Sequence, residues 1–91
     1  MAHVVIDIKI MPKSPEENLE KIREEAEKMI VEYEGNVIRH EIRPIAFGLS
    51  AVIITFGMDE AKGSTDDLEE KMSSIKGVNS VEVIGARRAF G

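Results

Sequence analysis

Apolar and polar residues alternate along the first part of the chain. Residues 3–11 place Val4, Ile6, Ile8 and Ile10 on one side of an extended backbone. Successive side chains of a β-strand point to opposite faces, so a period of two in β-branched residues predicts a half-buried strand. The other side of this strand would carry a mixed set of residues: His3, Val5, Asp7 and Lys9.

A helix is predicted next, because the apolar spacing changes from two to three and four. The segment Ser14-Pro15-Glu16-Glu17 is typical of a helix start, with Ser14 as the cap and Glu17 completing a capping box. The apolar stripe that follows consists of Leu19, Ile22, Ala26, Met29, Ile30 and Tyr33. Such a stripe packs one face of a helix against a core. Gly35 ends the predicted helix.

Residues 37–46 alternate again and predict a second strand. One face of this strand would carry Ile38, His40 and Ile42. The other face would carry Arg39, Glu41 and Arg43. Pro44 has no N–H for a hydrogen-bond ladder, so we expect the strand to lie at a sheet edge or to end there.

A third strand is predicted over residues 49–56. Its sequence, LSAVIITF, is rich in β-branched residues without strong alternation, which is typical of a central strand. Residues 58–63 form a polar loop, and Ser64 is the expected cap of a second helix that ends at Gly77. The apolar stripe of this helix consists of Leu68, Met72 and Ile75.

The last predicted strand runs from Val78 to Ile84 and is followed by a tail over residues 85–91. The element order is therefore βαββαβ. Right-handed crossovers then place both helices on one face of a four-stranded antiparallel sheet, an α+β arrangement of the ferredoxin-like type. Because this architecture hosts many unrelated activities, the function has to be argued from particular residues.

The size and charge of the chain restrict its partners. Its 91 residues are expected to form a single domain, 1–91. The net charge of −5, from 17 acidic and 12 basic residues, disfavours binding to a phosphate backbone. With one Tyr, three Phe and no Trp, the chain offers no aromatic platform on which bases could stack. We therefore expect no direct contact with nucleic acid.

The residue types that are missing exclude several kinds of site. The absence of cysteine removes disulfides, thiolate catalysis and cysteine-type zinc sites, and it suits a reducing compartment. His3 and His40 are the only histidines, so a multi-histidine metal site is not expected. The longest aliphatic run, residues 51–54, is far too short to span a bilayer, and we expect no secretory signal.

Candidate catalytic groups are few. The adjacent acids Asp59-Glu60 and Asp66-Asp67 could perform acid–base chemistry or hold Mg²⁺. A solvated loop and acids in the first turn of a helix explain them more simply. His40, on an apolar strand face, is more often a packed or edge-exposed histidine than a base or a ligand.

The activities that ferredoxin-like domains carry elsewhere need parts that this chain lacks. An acylphosphatase cradle needs backbone N–H groups after the first strand, but residues 11–15 contain two prolines. An RNA-recognition motif needs stacking aromatics on its central strands, and copper carriers need a CxxC motif. No GxxxxGK[ST] phosphate loop is present. We therefore expect neither an enzyme nor a bound cofactor or metal.

Two features remain that suit docking to another protein. Phe47 lies in a turn flanked by Pro44 and Gly48, where it is either tucked under the sheet end or presented to a partner. Arg87 and Arg88 make the tail basic in an acidic protein. They are either solvated or directed at carboxylates or phosphates of a partner.

Three blocks of sequence resemble the translation elongation factor 1-beta family, in the compact archaeal form that consists of the guanine nucleotide exchange domain alone. The blocks are PIAFGL at 44–49, GSTDDLEEK at 63–71 and VNSVEV at 78–83. The likeness covers essentially the whole chain in order. It implies a ferredoxin-like fold, in agreement with the pattern above. It also implies a non-enzymatic function in protein synthesis, the release of GDP from elongation factor 1-alpha so that GTP can load.

The resemblance also implies roles for particular residues. In that family an aromatic residue between the second and third strands packs against the GTPase, and Phe47 falls on this position. A basic residue near the C-terminus reaches toward the Mg²⁺ and phosphate site. Arg88 falls there, where eukaryotic members have lysine, and Arg87 is the alternative for that role. The expected partner is elongation factor 1-alpha, either GDP-bound or nucleotide-free. The chain itself is expected to be a cytoplasmic monomer that binds no membrane.

A regulatory or ligand-binding module of the same fold is the alternative function. Such a module would dimerise through the face of the sheet that the helices leave open. The residues predicted on that face are mixed in polarity, which suits either solvent or a transient partner. They are Val5, Asp7, Lys9, Arg39, Glu41 and Arg43.

Overall fold

A computed structural model describes residues 3–89 of the chain. The elements, in chain order, are β1 His3–Pro12, α1 Leu19–Glu32, β2 Asn36–Ala46, β3 Leu49–Asp59, a short 3₁₀ helix Glu60–Lys62, α2 Asp66–Ser73 and β4 Val78–Ala89. The strands form one sheet in the order β2-β3-β1-β4, and every neighbouring pair is antiparallel. The predicted ferredoxin-like βαββαβ fold is confirmed. Within residues 3–89, neither helix has the length and apolar character needed to cross a membrane.

The core lies between the helices and one face of the sheet. In the register of β1 with β3, Ile6 is opposite Phe56 and Ile8 is opposite Ile54, so these side chains point to the same face. All four are buried together with the apolar stripes of the two helices. Burial of each such side chain stabilises the fold by about 1.5–3 kcal/mol, and this layer sets the register of the central strands.

The first helix begins later than predicted. It starts at Leu19, where Asn18 Oδ1 accepts a hydrogen bond from the Lys21 N–H at 3.1 Å. Ser14 belongs instead to a turn, in which its hydroxyl oxygen accepts from the Glu16 N–H at 3.3 Å. Both residues are good capping types, and Asn18 is the one that directly precedes the apolar stripe. The prediction of Ser14 as the cap is therefore wrong.

α1 ends at Glu32, with Tyr33 as its C-cap, and the predicted stop at Gly35 lies three residues beyond that end. Glu34 is the residue with positive φ, at 69°, and Gly35 donates its N–H to the Ile30 carbonyl at 2.8 Å. A Cβ on Gly35 would lie 2.7 Å from Ile30 Cγ2 and 3.3 Å from Phe56 Cδ2. Glycine is needed here because the chain passes close to the core as it turns into β2.

The start of α2 lies one to two residues beyond the predicted cap. Thr65 occupies the cap position and Asp66 is the first helical residue. The Ser64 hydroxyl oxygen nevertheless accepts a hydrogen bond from the Asp66 N–H at 3.0 Å, so it satisfies one of the unpaired amides at this helix end. The Thr65 hydroxyl donates to the Glu69 carboxylate at 2.7 Å.

Each strand is longer than predicted, and β3 and β4 are extended the most. β3 continues through Asp59, which shortens the polar loop predicted over residues 58–63. β4 continues through Ala89, so Arg87 and Arg88 lie in a strand and not in a solvated tail. The reason is β1, whose residues from His3 onward pair with β4 from Ala89 backward. The last residues of the predicted tail, Phe90 and Gly91, lie outside the described residues.

The edge position predicted for β2 is confirmed, but its alternation is interrupted. His40 and Ile42 are opposite the core residues Ile54 and Val52, as the pattern predicted. An irregularity between Val37 and Arg39 shifts the register. A Cβ on Gly57 would lie 3.9 Å from Ile38 Cδ1, so Ile38 lies over the open face of the sheet. The prediction that Ile38 shares a face with His40 is wrong, since a bulge reverses the side on which a residue lies.

Candidate partner-binding site

Phe47 lies at the tip of the hairpin that joins β2 to β3. Ala46 pairs with Leu49, so Phe47 and Gly48 form a two-residue turn. Both have positive φ angles, 54° for Phe47 and 78° for Gly48, as a type I′ turn requires. The Phe47 side chain is 98% exposed. Of the two alternatives for this residue, the structure excludes the tucked one, since the ring is exposed at the tip of the hairpin.

The surroundings of Phe47 extend the apolar surface. Ile45 and Ile42, on the same strand, are also substantially exposed. On the other side of the turn, a Cβ on Gly48 would lie 3.8 Å from Pro15 Cγ, which places the turn before α1 beside the hairpin tip. The tip is thus an exposed aromatic ring on a two-residue turn, and the strand before it carries these two exposed isoleucines and a register irregularity between Pro44 and Ala46.

Arg88 lies near the opposite end of the sheet, on its helix-facing side. It is opposite Val4 on β1, and Val4 packs against the core. The Arg88 Nε donates a hydrogen bond to Glu60 Oε1 at 3.0 Å, and Nη2 donates to the same oxygen. The Arg88 side chain is 62% exposed. Its guanidinium is therefore available to solvent while one edge of it is already engaged.

Arg87, the neighbouring residue, points to the other face of the sheet. Its Nη1 donates to Asp7 Oδ2 at 3.0 Å, and the Thr55 hydroxyl donates to Asp7 Oδ1 at 2.6 Å. The Thr55 hydrogen bond, and then the Arg87 and Arg39 guanidiniums, hold the pKa of Asp7 below its usual value of 3.8 against the opposing effect of burial. This network joins β3, β1 and β4 across the open face.

The loop between β3 and α2 is attached to the end of α1. Lys62 Nζ lies 2.6 Å from Glu34 Oε1 and 5.2 Å from the centre of the Tyr33 ring. The Tyr33 hydroxyl donates to the Ser64 carbonyl at 2.6 Å. These contacts fix the segment that carries Glu60. An open groove of about 550 Å³ runs beside this segment and β4, and its lining includes Glu60 and Arg88.

The structure places Phe47 and the two arginines at opposite ends of the sheet. β3 connects the ends, since Leu49 adjoins the Phe47 turn and Met58 is opposite Val4, which in turn is opposite Arg88. From Leu49 to Met58 there are nine steps along β3, which at about 3.3 Å each span about 30 Å. The predicted partner-binding residues therefore do not form one cluster but lie at two separate places on the surface.

The other sequence candidates have structural roles. Asp59 Oδ1 accepts from the Ala61 N–H at 2.9 Å and so caps the 3₁₀ helix, while Asp66 and Asp67 lie in the first turn of α2. His40 Nδ1 lies 3.1 Å from Glu27 Oε2 on α1. Within the described part of the chain, no three His, Asp or Glu side chains lie close enough together to hold a metal ion.

Sequence reasoning missed one residue at the site, Glu60. It was assigned to a solvated loop, yet its carboxylate binds Arg88. The two residues are 28 positions apart, and the contact depends on β4 continuing past Gly85. The sequence places two adjacent acids, Asp59 and Glu60, in a chain with an arginine pair near its end. That pattern suggests an ion pair, but it does not indicate which acid contacts which arginine.

Comparisons with known proteins connect this geometry to a family. The sequence model of the EF-1 guanine nucleotide exchange domain matches residues 5–88. The chain belongs to this family. It is 39% identical to the elongation factor 1-beta of Methanocella arvoryzae over 99% of this chain and 100% of that protein. It is 41% identical to the elongation factor 1-beta of Metallosphaera sedula over 97% of each chain. These findings confirm the predicted function as a guanine nucleotide exchange factor of translation elongation.

Similarity to solved structures supports the fold of the chain but not its function. The ACT domain from GTP pyrophosphokinase of Chlorobium tepidum superposes with a TM-score of 0.61 at 15% identity, covering 88% of this chain and 96% of that one. At this identity the likeness shows a shared βαββαβ architecture. It carries no information about ligands, because one architecture serves many functions.

Proposed function

We propose that the chain acts as a single exchange domain over residues 1–91 and releases GDP from elongation factor 1-alpha so that GTP can load. It does so without making or breaking a covalent bond and without a cofactor of its own. It acts as a monomer in the cytoplasm and touches neither nucleic acid nor membrane. The observation that carries the proposal is the 98% exposure of Phe47 on a turn that disfavours a phenylalanine.

Phe47 is the first contact point in this proposal. Non-glycine residues rarely adopt a positive φ, and an exposed phenylalanine contributes nothing to the core that would offset the strain. A large aromatic side chain held rigidly at a surface is, however, a common anchor of protein–protein interfaces. The family resemblance assigns the same residue to contact with the GTPase. Phe47 therefore fits the anchor role on both grounds.

Arg88, with Arg87 as the alternative, is the second contact point. GDP is held on its GTPase largely through Mg²⁺ and phosphate contacts, and a guanidinium is well suited to competing at such a site because it binds phosphate and carboxylate oxygens. Arg88 has 62% of its side chain exposed. The family resemblance places a basic residue at this position. A cation here would weaken the hold of the partner on the diphosphate.

Exchange follows from binding alone. A protein that binds the nucleotide-free state of its partner more tightly than the GDP-bound state must weaken GDP binding by the same factor. A coupling of about 3 kcal/mol corresponds to a change of roughly 150-fold in affinity. An anchor and a cation on one rigid sheet are sufficient for this, since no group on the factor has to react.

Stopped-flow measurement of fluorescent mant-GDP release from elongation factor 1-alpha tests the proposal. Wild type should accelerate release, and Phe47→Ala and Arg88→Ala should each slow it by about tenfold or more, as truncation of an interface anchor does. Circular dichroism should be unchanged in both variants. Val31→Ala and Lys28→Ala, which truncate exposed residues of α1, serve as matched controls and should release GDP at the wild-type rate.

The outcomes of this experiment separate the function from its residues. If saturating wild-type protein leaves the GDP release rate unchanged, the exchange function is wrong. If wild type accelerates release and both alanine variants match it, Phe47 and Arg88 are not the contact points. Self-association that depends on a small ligand, without a GTPase complex on size exclusion, would favour the regulatory module instead.

A further inference from the structure

The side chain of Glu60 is the only carboxylate that the described residues bring to the guanidinium of Arg88. One oxygen, Oε1, accepts from both Nε and Nη2 of Arg88. We propose that Glu60 is a positioning residue, which orients Arg88 in the unbound protein for its contact with an anionic group of the partner's nucleotide site. This inference rests on the exchange function proposed above.

Glu60 can fulfil this role because its own backbone is fixed. It begins the 3₁₀ helix Glu60–Lys62, which Asp59 caps through its hydrogen bond with the Ala61 N–H. At the other end of that helix, Lys62 Nζ lies 2.6 Å from Glu34 Oε1. A carboxylate on a short element held at both ends has a defined position, and a side chain bound to it acquires one too.

The contact engages one edge of the guanidinium and not the other. Nε and Nη2 both point to Glu60, whereas Nη1 takes no part in this contact. Arginine loses much rotamer freedom when it is immobilised on binding, and part of that loss is avoided if the side chain is ordered beforehand. Glu60 thereby orders the long side chain while the Nη1 edge stays available for a partner's phosphate or carboxylate.

The different contacts of the two arginines favour Arg88 over Arg87 as the residue that reaches the nucleotide site. Arg87 binds Asp7, whose other oxygen is already taken by Thr55, in a network that joins three strands of the open face. Withdrawal of Arg87 would leave a part-buried carboxylate with one partner fewer. Arg88 does not have to leave Glu60, because its side chain is 62% exposed and its Nη1 edge takes no part in the contact.

The first test is a direct measurement on the unbound protein. In ¹⁵N-resolved NMR spectra, the Nε–H of Arg88 should exchange slowly with water in wild type, because Glu60 accepts its proton. Glu60→Ala should accelerate that exchange by about tenfold or more, as expected for loss of a charge-assisted hydrogen bond. Glu82→Ala is the matched control: it removes another exposed β4-side carboxylate, which pairs with Lys9, and should leave the Arg88 signal unchanged. Equal exchange in Glu60→Ala and wild type would overturn the inference.

The second test is kinetic and separates orientation from direct contact. Glu60→Ala should raise the concentration of factor that half-saturates mant-GDP release by about three- to tenfold, since the ordering cost returns to the binding step. The maximal rate should stay within about twofold of wild type, because the partner itself orders Arg88 at saturation. Glu60→Gln, which keeps the oxygen acceptor without the charge, should show a smaller rise.

A double-mutant cycle completes the experiment. In an Arg88→Ala background, Glu60→Ala should have no further effect on the half-saturating concentration, because Glu60 acts only through Arg88. An undiminished effect in that background, or faster release by Glu60→Ala in an otherwise wild-type chain, would overturn the inference. Failure of the wild-type protein to accelerate release would instead overturn the exchange function itself, so the two failures are distinguishable.

Discussion

The turn at Phe47 and Gly48 contains a residue that the folding of the chain does not explain. A type I′ turn needs positive φ at both central positions, and Asn-Gly satisfies that need with little strain. Here the first position holds Phe47 with φ of 54°. The left-handed conformation costs a residue with a Cβ about 1–2 kcal/mol. Because the ring is exposed, no contact within the folded chain offsets this cost. The proposed contact of the ring with a partner would account for the residue choice.

A substitution can separate strain from function at this position. Phe47→Asn should raise the free energy of unfolding by about 1 kcal/mol, because asparagine tolerates the left-handed region better. The same variant should lose most of its activity in GDP release. Urea denaturation followed by circular dichroism measures the first effect, and stopped-flow fluorescence measures the second.

Phe47→Ala provides the control for this prediction. Alanine, unlike asparagine, has no polar side-chain group to hydrogen-bond the local backbone in the left-handed region, so it keeps the strain. Its stability should stay close to that of wild type while its exchange activity falls. If Phe47→Asn and Phe47→Ala unfold at the same urea concentration, backbone strain at residue 47 is negligible and the stability argument does not hold.

The individual elements show where sequence patterns are informative. The apolar periods predicted each helix and strand in the correct order, because burial of one face sets the period of each element. The ends were less predictable. The predicted β4 ends at Ile84, whereas β1 supplies a pairing partner as far as Ala89. The choice between Asn18 and Ser14 as the cap of α1 likewise depends on how the chain leaves the sheet, which no local pattern contains.

The network on the open face is a second element-scale feature that the sequence did not predict. Asp7, Thr55 and Arg87 come from three strands and meet because the register aligns Asp7 with Thr55. Thr55 is 3% exposed although it faces away from the helices. Alternation alone assigns residues to this face, but only the register determines which of them touch.

This network predicts a specific response to acid. Since the pKa of Asp7 is lowered in the folded state, its contribution to stability is present above the ordinary value of 3.8 and is lost as the pH falls through the folded pKa. Asp7→Asn should therefore reduce the free energy of unfolding by about 1–2 kcal/mol at neutral pH. The difference between variant and wild type should shrink below pH 3.8. Urea denaturation at a series of pH values checks this.

A surface carboxylate provides the comparison for Asp7. Glu82 has a side chain that is 63% exposed and lies 3.6 Å from Lys9, an ion pair of a kind that contributes at most about 1 kcal/mol. Glu82→Gln should leave the pH dependence of stability close to that of wild type. A pH profile of Asp7→Asn that parallels the wild-type profile throughout the acid range would contradict the assignment.

The whole molecule determines how the contact points relate to one another. The sequence identified Phe47 and the arginine pair as features suited to docking, but it could not give their separation or the faces to which they point. The sheet gives both, since β3 runs between the two proposed contact points and sets them about 30 Å apart. A partner that meets both must extend along the molecule, whose longest dimension is 42 Å.

The separation of the two contact points predicts that their energies add. Residues more than 7–10 Å apart with no shared partner have substitution effects that add within about 0.5 kcal/mol, or roughly twofold in rate. The slowing of GDP release by Phe47→Ala combined with Arg88→Ala should therefore equal the product of the two single effects within about that factor. Stopped-flow release at subsaturating factor, where the rate reports kcat/KM, is the measurement.

Ionic strength distinguishes the two contributions within the same cycle. Salt screens the attraction between Arg88 and an anionic site, so the effect of Arg88→Ala should decrease between low and high salt. The effect of Phe47→Ala should change little, because apolar burial does not depend on charge screening. The Glu60→Ala and Arg88→Ala pair, whose side chains touch, is the control that should not add. If the double variant Phe47→Ala with Arg88→Ala is no slower than the slower single variant, the two ends of the sheet do not act independently on one partner.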